Sequence, residues 1–407
     1  MSKRFAAVFA IIATGVSTMS ALEVSNLRAG MLSESEIPAD ETELIISGEL
    51  NAADFAYILD NLNNLKRLDI SAARIVAYDG ASLPYTGVTH SDDDRLPDYA
   101  LTGLTKLSSI SLPASLKAIG KGSLSGTGIT ALTVTPTVTS IGDYAAMRCE
   151  QLTSVTVPTT VTSIGTRAFA YCPKLSKVVM NASVTSIPEG LFEACGGLRS
   201  LSLEALSACD EIGPWALAEC NGLTTLVLPS GCKALEQGAV YGTSGIETLV
   251  LPVTMERIGS NAMSAMTSLL SINASQVNSV PELGDNVWSR LNQSEVILVT
   301  PNETENDYRA AEQWKEFHIV PVDEWSSSTE TVASTIGNNG NINVAIGDKE
   351  ISLTCNGGSL GQIAVFNAAG RRIAAAKADV STTFNTSGWT SGVYLIVTDL
   401  GVVKVSI

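Results

Sequence analysis

Apolar residues recur along the chain at a long and nearly constant interval. The residues that open successive segments lie 22 to 25 positions apart, and a second apolar position keeps the same period. The first set is Leu107, Ile129, Leu152, Leu175, Leu198, Leu223, Ile246 and Leu269, and the second is Ile119, Ile141, Ile164, Ile187, Ile212, Leu235, Ile258 and Val280. Self-similarity at such a period is typical of repeat proteins.

Several segments open with the pattern L-x-x-L-x-L-P, as in residues 223–229 (LTTLVLP). Alternate residues of a strand point to the same side, so the pattern predicts a short strand that is apolar on one side and ended by proline. One coil cannot bury that side alone, so neighbouring coils stack and share a continuous core. Eight coils with strands about 4.8 Å apart would form a parallel β-ladder roughly 40 Å long. The sequence therefore predicts a repeat solenoid.

Six of the seven cysteines fall in two columns of the stacked repeats, at positions that other repeats fill with small or apolar side chains. In an exported protein such columns could form disulfides or bind metal. Side chains that point in parallel suit disulfide geometry poorly, and no C-x-x-C pair supports a metal site. We therefore favour buried free thiols and expect no bound metal. The six residues are Cys149, Cys172, Cys195, Cys209, Cys220 and Cys232.

The motif L-x-x-L-x-L-P, followed by IG-x-x-A-F-x-x-C, resembles the BspA-like branch of leucine-rich repeats. The resemblance extends from about Leu44 to Val322, with 48–75 similar to the N-terminal cap of that family and 296–321 similar to its closing coil. It implies a right-handed leucine-rich-repeat coil. Members of this branch are mostly regarded as bacterial surface adhesins or interaction proteins, so the resemblance also implies binding.

The N-terminus has the features of a secretory signal peptide. Lys3 and Arg4 precede an apolar run, and small residues follow it. The apolar run is too short for a membrane span, and we expect cleavage between Ser20 and Ala21. No later stretch is long and apolar enough to span a bilayer. We therefore expect an exported protein at the cell surface or in the extracellular medium.

The predicted domain order follows from these boundaries. Residues 1–20 are the signal peptide, 21–106 the N-terminal cap and an insertion, 107–321 the solenoid, 322–343 a Ser/Thr/Asn/Gly-rich linker and 344–407 a small all-β sandwich. The sandwich motifs in residues 363–373, 391–397 and 404–407 resemble the sorting domain of the type IX secretion system. An ordinary Ig-like stalk is the alternative.

Composition narrows the possible functions. The chain carries 41 Asp and Glu against 25 Lys and Arg, a formal net charge of −16, so it would repel nucleic acid. No nucleophile motif, phosphate-binding loop or zinc motif is present, and the two histidines, His90 and His318, stand far apart. We therefore expect no catalytic residues and no cofactor.

Two groups of residues are candidates for partner binding. The insertion Tyr78 to Tyr99 contains Tyr85 and the run Asp92, Asp93 and Asp94, for which a solvated loop is the alternative. One repeat column contains Tyr144, Arg167 and Trp215, and there the alternative is that Trp215 packs against Pro214. The outward positions of the predicted strands are small and uncharged, so we do not expect tight binding on that face.

The best-supported function is that of an exported, monomeric, adhesin-like protein that binds a protein or glycan partner. A structural surface-layer or fibre component is the alternative, and a glycan-active enzyme is the third possibility.

Overall fold

A computed structural model describes residues 21–323, 334–336, 342–347, 349–355, 360–367, 372–389, 393–398 and 401–406. The predicted signal peptide, including Ser20, and much of the predicted linker lie outside the described residues. In the part of the chain that is described, no helix is both long and apolar enough to cross a membrane.

Residues 21–323 form a solenoid whose principal element is a parallel β-ladder of thirteen strands, interrupted at three places. Parallel pairing in register places like positions of successive coils side by side, as in Leu132, Val155 and Val178. We call this the sheet ladder. Its strands are Leu22–Leu27, Glu43–Leu50, Arg67–Asp69, Ser109–Ser111, Ala131–Thr133, Ser154–Val157, Lys177–Met180, Ser200–Ser202, Thr225–Val227, Thr248–Val250, Ser271–Asn273, Ile297–Thr300 and His318–Pro321.

The sheet ladder confirms the predicted leucine-rich-repeat coil. Each of the eight predicted repeats contributes one strand, and the ladder continues for three strands before them and two after them. The additional strands belong to the two terminal regions, where the sequence departs from the repeat pattern. One continuous apolar core fills the coils from Val24 to Ile319.

A second ladder of two-residue strands contains the second apolar position of each repeat. A Cβ atom added at Gly120, which follows this position, would lie 2.8 Å from the backbone nitrogen of Asp98, so glycine permits the close approach of two coils. In the last repeat Leu283, and not Val280, pairs with Ile258, because a longer turn shifts the strand. The strands are Arg95–Leu96, Ala118–Ile119, Ser140–Ile141, Ser163–Ile164, Ser186–Ile187, Glu211–Ile212, Ala234–Leu235, Arg257–Ile258 and Glu282–Leu283.

The turns that follow the second ladder are also hydrogen-bonded from coil to coil. The backbone N–H groups of Trp215, Leu217 and Glu219 donate to carbonyl oxygens of the next coil at 2.9, 2.8 and 2.7 Å. Two residues of each turn, four positions apart, have positive φ angles. We call the surface formed by these turns the turn face. Its first left-handed column is Tyr99, Gly122, Tyr144, Arg167, Gly190, Trp215, Gly238, Asn261 and Asn286, and its second is Gly103, Gly126, Arg148, Tyr171, Ala194, Glu219, Gly242, Ala265 and Arg290.

All seven cysteines are buried, and none of them forms a disulfide. One of the two columns contains Cys149, Cys172, Cys195 and Cys220. Each of these thiols donates to a backbone oxygen of the preceding coil, as from Cys195 to Phe169 at 3.2 Å and from Cys220 to Phe192 at 3.1 Å. Thr127 occupies the same column and donates its hydroxyl to Leu124 at 2.8 Å. The hydroxyl and thiol side chains of this column therefore satisfy their own polar groups and a buried carbonyl together.

The two ends of the solenoid are covered by atypical elements. At the N-terminal end, the helix Ala52–Asn61 begins with a capping box of Asn51 and Asp54. The buried Asp54 carboxylate accepts three backbone N–H bonds, from Gly30, Leu32 and Asn51, although burial raises its pKa overall. A 3₁₀ turn, Leu32–Glu34, precedes the helix in the chain.

At the C-terminal end, aromatic residues close the core. Trp314 and Tyr308 are fully buried, and their rings meet edge to face at 5.3 Å. The indole nitrogen of Trp314 donates to the carbonyl of Pro281 at 3.0 Å. The 3₁₀ turn Gln293–Glu295 and the helix Glu305–Ala310 complete this end.

The C-terminal region is an all-β unit of two antiparallel sheets around one apolar cluster. The first sheet contains Ser334–Ile336, Gly401–Ser406, Val393–Thr398, Gly361–Asn367 and Arg372–Ala378, and the second contains Ile342–Gly347, Glu350–Cys355 and Ser381–Asn385. The strand Ser334–Ile336 lies inside the segment predicted as a linker, so the sheets begin before residue 344. Three residues are too few to show an alternating pattern in the sequence, so the strand is recognised from its antiparallel pairing with Gly401–Ser406.

Ala194 tests the backbone strain of the turn face. Its φ angle is +56°, a conformation that costs about 1–2 kcal/mol with a side chain and little with glycine. We expect Ala194→Gly to raise the free energy of unfolding by about 1 kcal/mol, measured by urea denaturation at an unchanged slope. The control is Ala131→Gly, in an exposed strand position, which should lower it by about 0.5–1 kcal/mol. Equal destabilisation by both substitutions would contradict the strain argument.

The reactivity of the thiols provides a test of how tightly the cysteine columns are packed. Burial raises the pKa values of Cys220 and Cys232 to about 12, so their reactive thiolate forms are rare in the folded protein. We expect the folded chain to react slowly with a disulfide reagent at mildly alkaline pH, and seven thiols to react after unfolding without reductant. Fewer than seven thiols in the unfolded chain would reveal disulfides instead.

Candidate partner-binding surfaces

The insertion forms a short antiparallel hairpin of Tyr78–Asp79 and His90–Ser91 beside the strand Ala73–Ile75. His90 is exposed, and both ring nitrogens face carboxylates. Nδ1 lies 2.6 Å from Asp79 and Nε2 lies 3.3 Å from Asp92. These contacts, with Asp79 first, raise the pKa of His90 and favour its cationic form.

The last two aspartates of the run are held by cations of the solenoid. Asp93 lies 3.6 Å from Arg74, and Asp94 lies 3.0 Å from the ammonium of Lys117. The contact with Lys117 lowers the pKa of Asp94, whose side chain is nearly buried. The aspartates therefore fasten the insertion to two coils. Among the described residues, no group of three or more histidines, cysteines and acidic residues could hold a metal ion.

Tyr85 is the most exposed large apolar side chain in the described part of the chain, at 78%. Its hydroxyl donates to Asp60 at 3.0 Å, and this bond raises the pKa of the phenol. The insertion thus presents one ring to solvent from a loop that ion pairs hold in place.

On the turn face, large side chains of the first left-handed column lie over glycines of the next coil. A Cβ atom added at Gly122 would lie 2.7 Å from the Tyr99 ring, and one at Gly190 would lie 2.6 Å from Cγ of Arg167. The side chains lean toward the C-terminal end of the solenoid, and the glycines leave room for them.

Cations and carboxylates connect these side chains. The Lys121 ammonium lies 6.0 Å and 5.9 Å from the ring centres of Tyr99 and Tyr144. The Arg167 guanidinium forms ion pairs of 2.7 Å with Glu189 and with Glu193. These acids, with Glu193 first, raise the pKa of Arg167 and fix its planar group at the surface.

The second left-handed column contributes to the same surface. The guanidinium of Arg148 lies 5.8 Å from the ring centre of Tyr171, whose hydroxyl donates to Glu193 at 2.6 Å. That bond also raises the pKa of Tyr171. Arg148, Tyr171 and Arg167 therefore form a continuous charged and aromatic cluster with Glu189 and Glu193 across three coils.

Trp215 lies farther along the first column. Its ring covers Gly238 of the next coil, where an added Cβ would be 2.7 Å from Cδ2. The ring of Tyr241 meets it at 5.7 Å and an interplanar angle of 66°. The indole is thus packed against the following coil and remains partly exposed.

The structure places the predicted residues on two surfaces. Tyr85 and the three aspartates lie in the insertion, whereas Tyr144, Arg167 and Trp215 lie on the turn face. Tyr99 is both the last residue of the insertion and the first residue of the first left-handed column. Sequence analysis missed Arg148, Tyr171 and Tyr241. For Arg148 and Tyr171 a partial signal was available, because glycine stands at the corresponding positions of other repeats, as at Gly126 and Gly242. No such signal marks Tyr241.

The outer side of the sheet ladder contrasts with the turn face. In the regular repeats most of its outward side chains are small, and the most exposed large apolar ones are Val227 and Val250, at 40% and 46%. Aromatic and arginine side chains contribute most of the energy of typical interfaces. In the regular repeats the turn face carries several of them, such as Tyr144, Arg167 and Trp215.

The family described as BspA type leucine rich repeat region matches residues 88–199 and 197–308, in six copies. A leucine-rich repeat protein from Bacteroides ovatus is similar at 23% identity, with a TM-score of 0.46. The match covers 64% of this chain and 59% of that chain, so the chain spans about three fifths of the length of that protein. No curated protein matches the chain.

Two further solved structures are similar. A leucine-rich repeat protein from Eubacterium ventriosum has 17% identity and a TM-score of 0.40, with 55% of this chain and 68% of that chain covered. A leucine rich cell surface protein from Faecalibacterium prausnitzii has 18% identity and a TM-score of 0.26, with coverage of 64% and 85%.

His90 allows a test of the insertion by pH. Because its folded-state pKa is raised, the contribution of the imidazolium to hairpin stability is fully present below the ordinary histidine pKa. It is lost as pH rises through the raised value. We expect NMR titration of His90 to give a midpoint above the ordinary one, and Asp79→Asn to lower it. Asp40→Asn, at an exposed aspartate of the N-terminal region, is the control and should leave it unchanged. An unchanged midpoint in Asp79→Asn would exclude the contact.

Proposed function

Because this chain belongs to the BspA-type leucine-rich repeat family, we propose that it is an exported, adhesin-like protein whose turn face binds a protein or glycan partner. The observation that carries the proposal is the set of large side chains in left-handed backbone positions of that face. Binding rather than catalysis is proposed because the matching family is a repeat region and no catalytic motif is present in the sequence.

Backbone strain supports the choice of the turn face. Tyr144, Arg167 and Trp215 have φ angles of +56°, +52° and +56°, where glycine occupies the same column at Gly122, Gly190 and Gly238. A side chain in this conformation costs of order 1–3 kcal/mol, and such strain concentrates at functional sites. The fold accepts glycine in the column, so the larger residues serve something other than the fold.

The fixed positions of charged side chains on the turn face also support the proposal. The Arg167 guanidinium is held by two glutamates, and Lys121 lies between two tyrosine rings. Side chains that are already fixed lose less conformational freedom when a partner binds. The turn face therefore offers the residue types of binding hot spots in a nearly rigid arrangement.

Export and the C-terminal unit complete the proposal. The N-terminal sequence has the features of a signal peptide, and the C-terminal motifs resemble a type IX sorting domain. We propose that the chain acts at the cell surface or outside the cell, as a monomer, with the insertion and its exposed Tyr85 as a second contact.

The test is a binding screen of the purified chain against arrayed matrix proteins and glycans, followed by variants. Tyr144→Ala removes a ring and keeps a Cβ atom in the left-handed position, so the backbone is affected little. We expect it to weaken binding by about tenfold or more, as for an interface hot spot. Val250→Thr, on the sheet ladder, is the matched control and should bind as the wild-type chain does.

The other outcomes separate the alternatives. Equal binding by Tyr144→Ala, Arg167→Ala and the control would contradict the assignment to the turn face. Concentration-dependent self-association without binding to the array would favour a structural surface-layer or fibre component. A change in the mass of a bound glycan would favour a glycan-active enzyme.

A further inference from the structure

The indole of Trp215 lies flat over backbone that has no side chain. A Cβ atom added at Gly238 would lie 2.7 Å from Cδ2 in the fused part of the ring system. One ring face is therefore covered by the following coil. Since the residue is still partly exposed, the opposite face provides much of the exposed area.

A second ring borders this indole. Tyr241 stands at an interplanar angle of 66°, with ring centres 5.7 Å apart, and forms a side wall. Two polar residues are joined to these aromatic residues by backbone hydrogen bonds. Gln237, whose carbonyl accepts the N–H of Trp215, and Glu219, whose N–H donates to the carbonyl of Tyr241, are both exposed. We call Trp215, Tyr241, Gln237 and Glu219 the indole platform.

We propose that the indole platform binds one neutral pyranose unit of a glycan, stacked on the open face of Trp215. This inference rests on the proposed function and specifies its partner class. A pyranose has an apolar side of C–H groups and a perimeter of hydroxyls. The indole would pack against the C–H groups. The amide of Gln237 and the carboxylate of Glu219 would form hydrogen bonds to the hydroxyls.

The surroundings favour a neutral sugar over a protein or an acidic glycan. Protein hot spots lie in desolvated pockets enclosed by other contacts. None of the strongly exposed large apolar side chains among the described residues lies in turns 213–219 or 236–242. The apolar area is thus limited to about one ring. Glu219 and the net charge of −16 oppose an anionic ligand.

The conformation of Trp215 agrees with this role. Its φ angle of +56° is strained for a large side chain, and the glycine at position 238 keeps the ring flat. A side chain at position 238 would lift the indole away from the coil and tilt its open face. The pair therefore maintains a planar surface at the cost of backbone strain.

The experiment is isothermal titration calorimetry of the full chain with cellohexaose, chitohexaose and mannohexaose. We expect at least one of these neutral oligosaccharides to bind with a dissociation constant in the millimolar range or below. Trp215→Ala should weaken that binding by about tenfold or more, whereas Trp215→Tyr, which keeps a flat ring, should weaken it by about threefold or less. Val250→Thr, at an exposed position of the sheet ladder, is the control and should leave it unchanged.

Gly238→Ala adds a second test because it displaces the ring without removing it. We expect weakened oligosaccharide binding together with a changed near-ultraviolet circular dichroism spectrum. Should the strained alanine prevent folding, the comparison of Trp215→Ala with Trp215→Tyr still decides the question.

Each remaining outcome overturns the inference. No binding of any of the three oligosaccharides excludes a neutral sugar. Binding that Trp215→Ala leaves intact places the sugar elsewhere. If a matrix protein binds and Trp215→Ala abolishes it while no oligosaccharide binds, the platform is a protein contact. In that case the proposed function stands and the assignment to sugar fails.

Discussion

The architecture depends on backbone hydrogen bonds between successive coils. They run in three series, in the sheet ladder, in the second ladder and through the turns, and all three follow the same repeat. A coil whose length changed between two series would lose the register of the next one. The variation of 22 to 25 residues is accordingly absorbed in loops, and the long insertion precedes the regular repeats.

Much of the fold could be predicted because stacking imposes a side-chain signature. Inward positions such as Leu152, Leu175 and Leu198 must be apolar in every coil, so the period and the eight repeat strands are visible in the sequence. The cysteine column follows a similar rule. Cys195 and Thr127 differ in chemistry, but both are small and both donate to a buried carbonyl.

Features defined by backbone alone could not be predicted in the same way. The left-handed columns accept Tyr, Arg, Trp, Asn, Ala and Glu as well as Gly, so glycine marks them only in part, and Arg148 and Tyr171 were overlooked. The strand Ser334–Ile336 is three residues long and is recognised from its backbone pairing with Gly401–Ser406. Of the candidate site, the column of Tyr144, Arg167 and Trp215 was predicted, but its strain and its contacts required the structure.

The overlap of side chains on the turn face has a direction. Tyr99 covers Gly122, Arg167 covers Gly190 and Trp215 covers Gly238, in each case from one coil to its successor. The surface therefore has a direction along the solenoid axis, and its two ends differ. An elongated ligand lying along the solenoid axis would therefore meet a different surface shape in each of its two orientations. A substitution in one coil would alter the exposed shape of the following coil more than that of the preceding one.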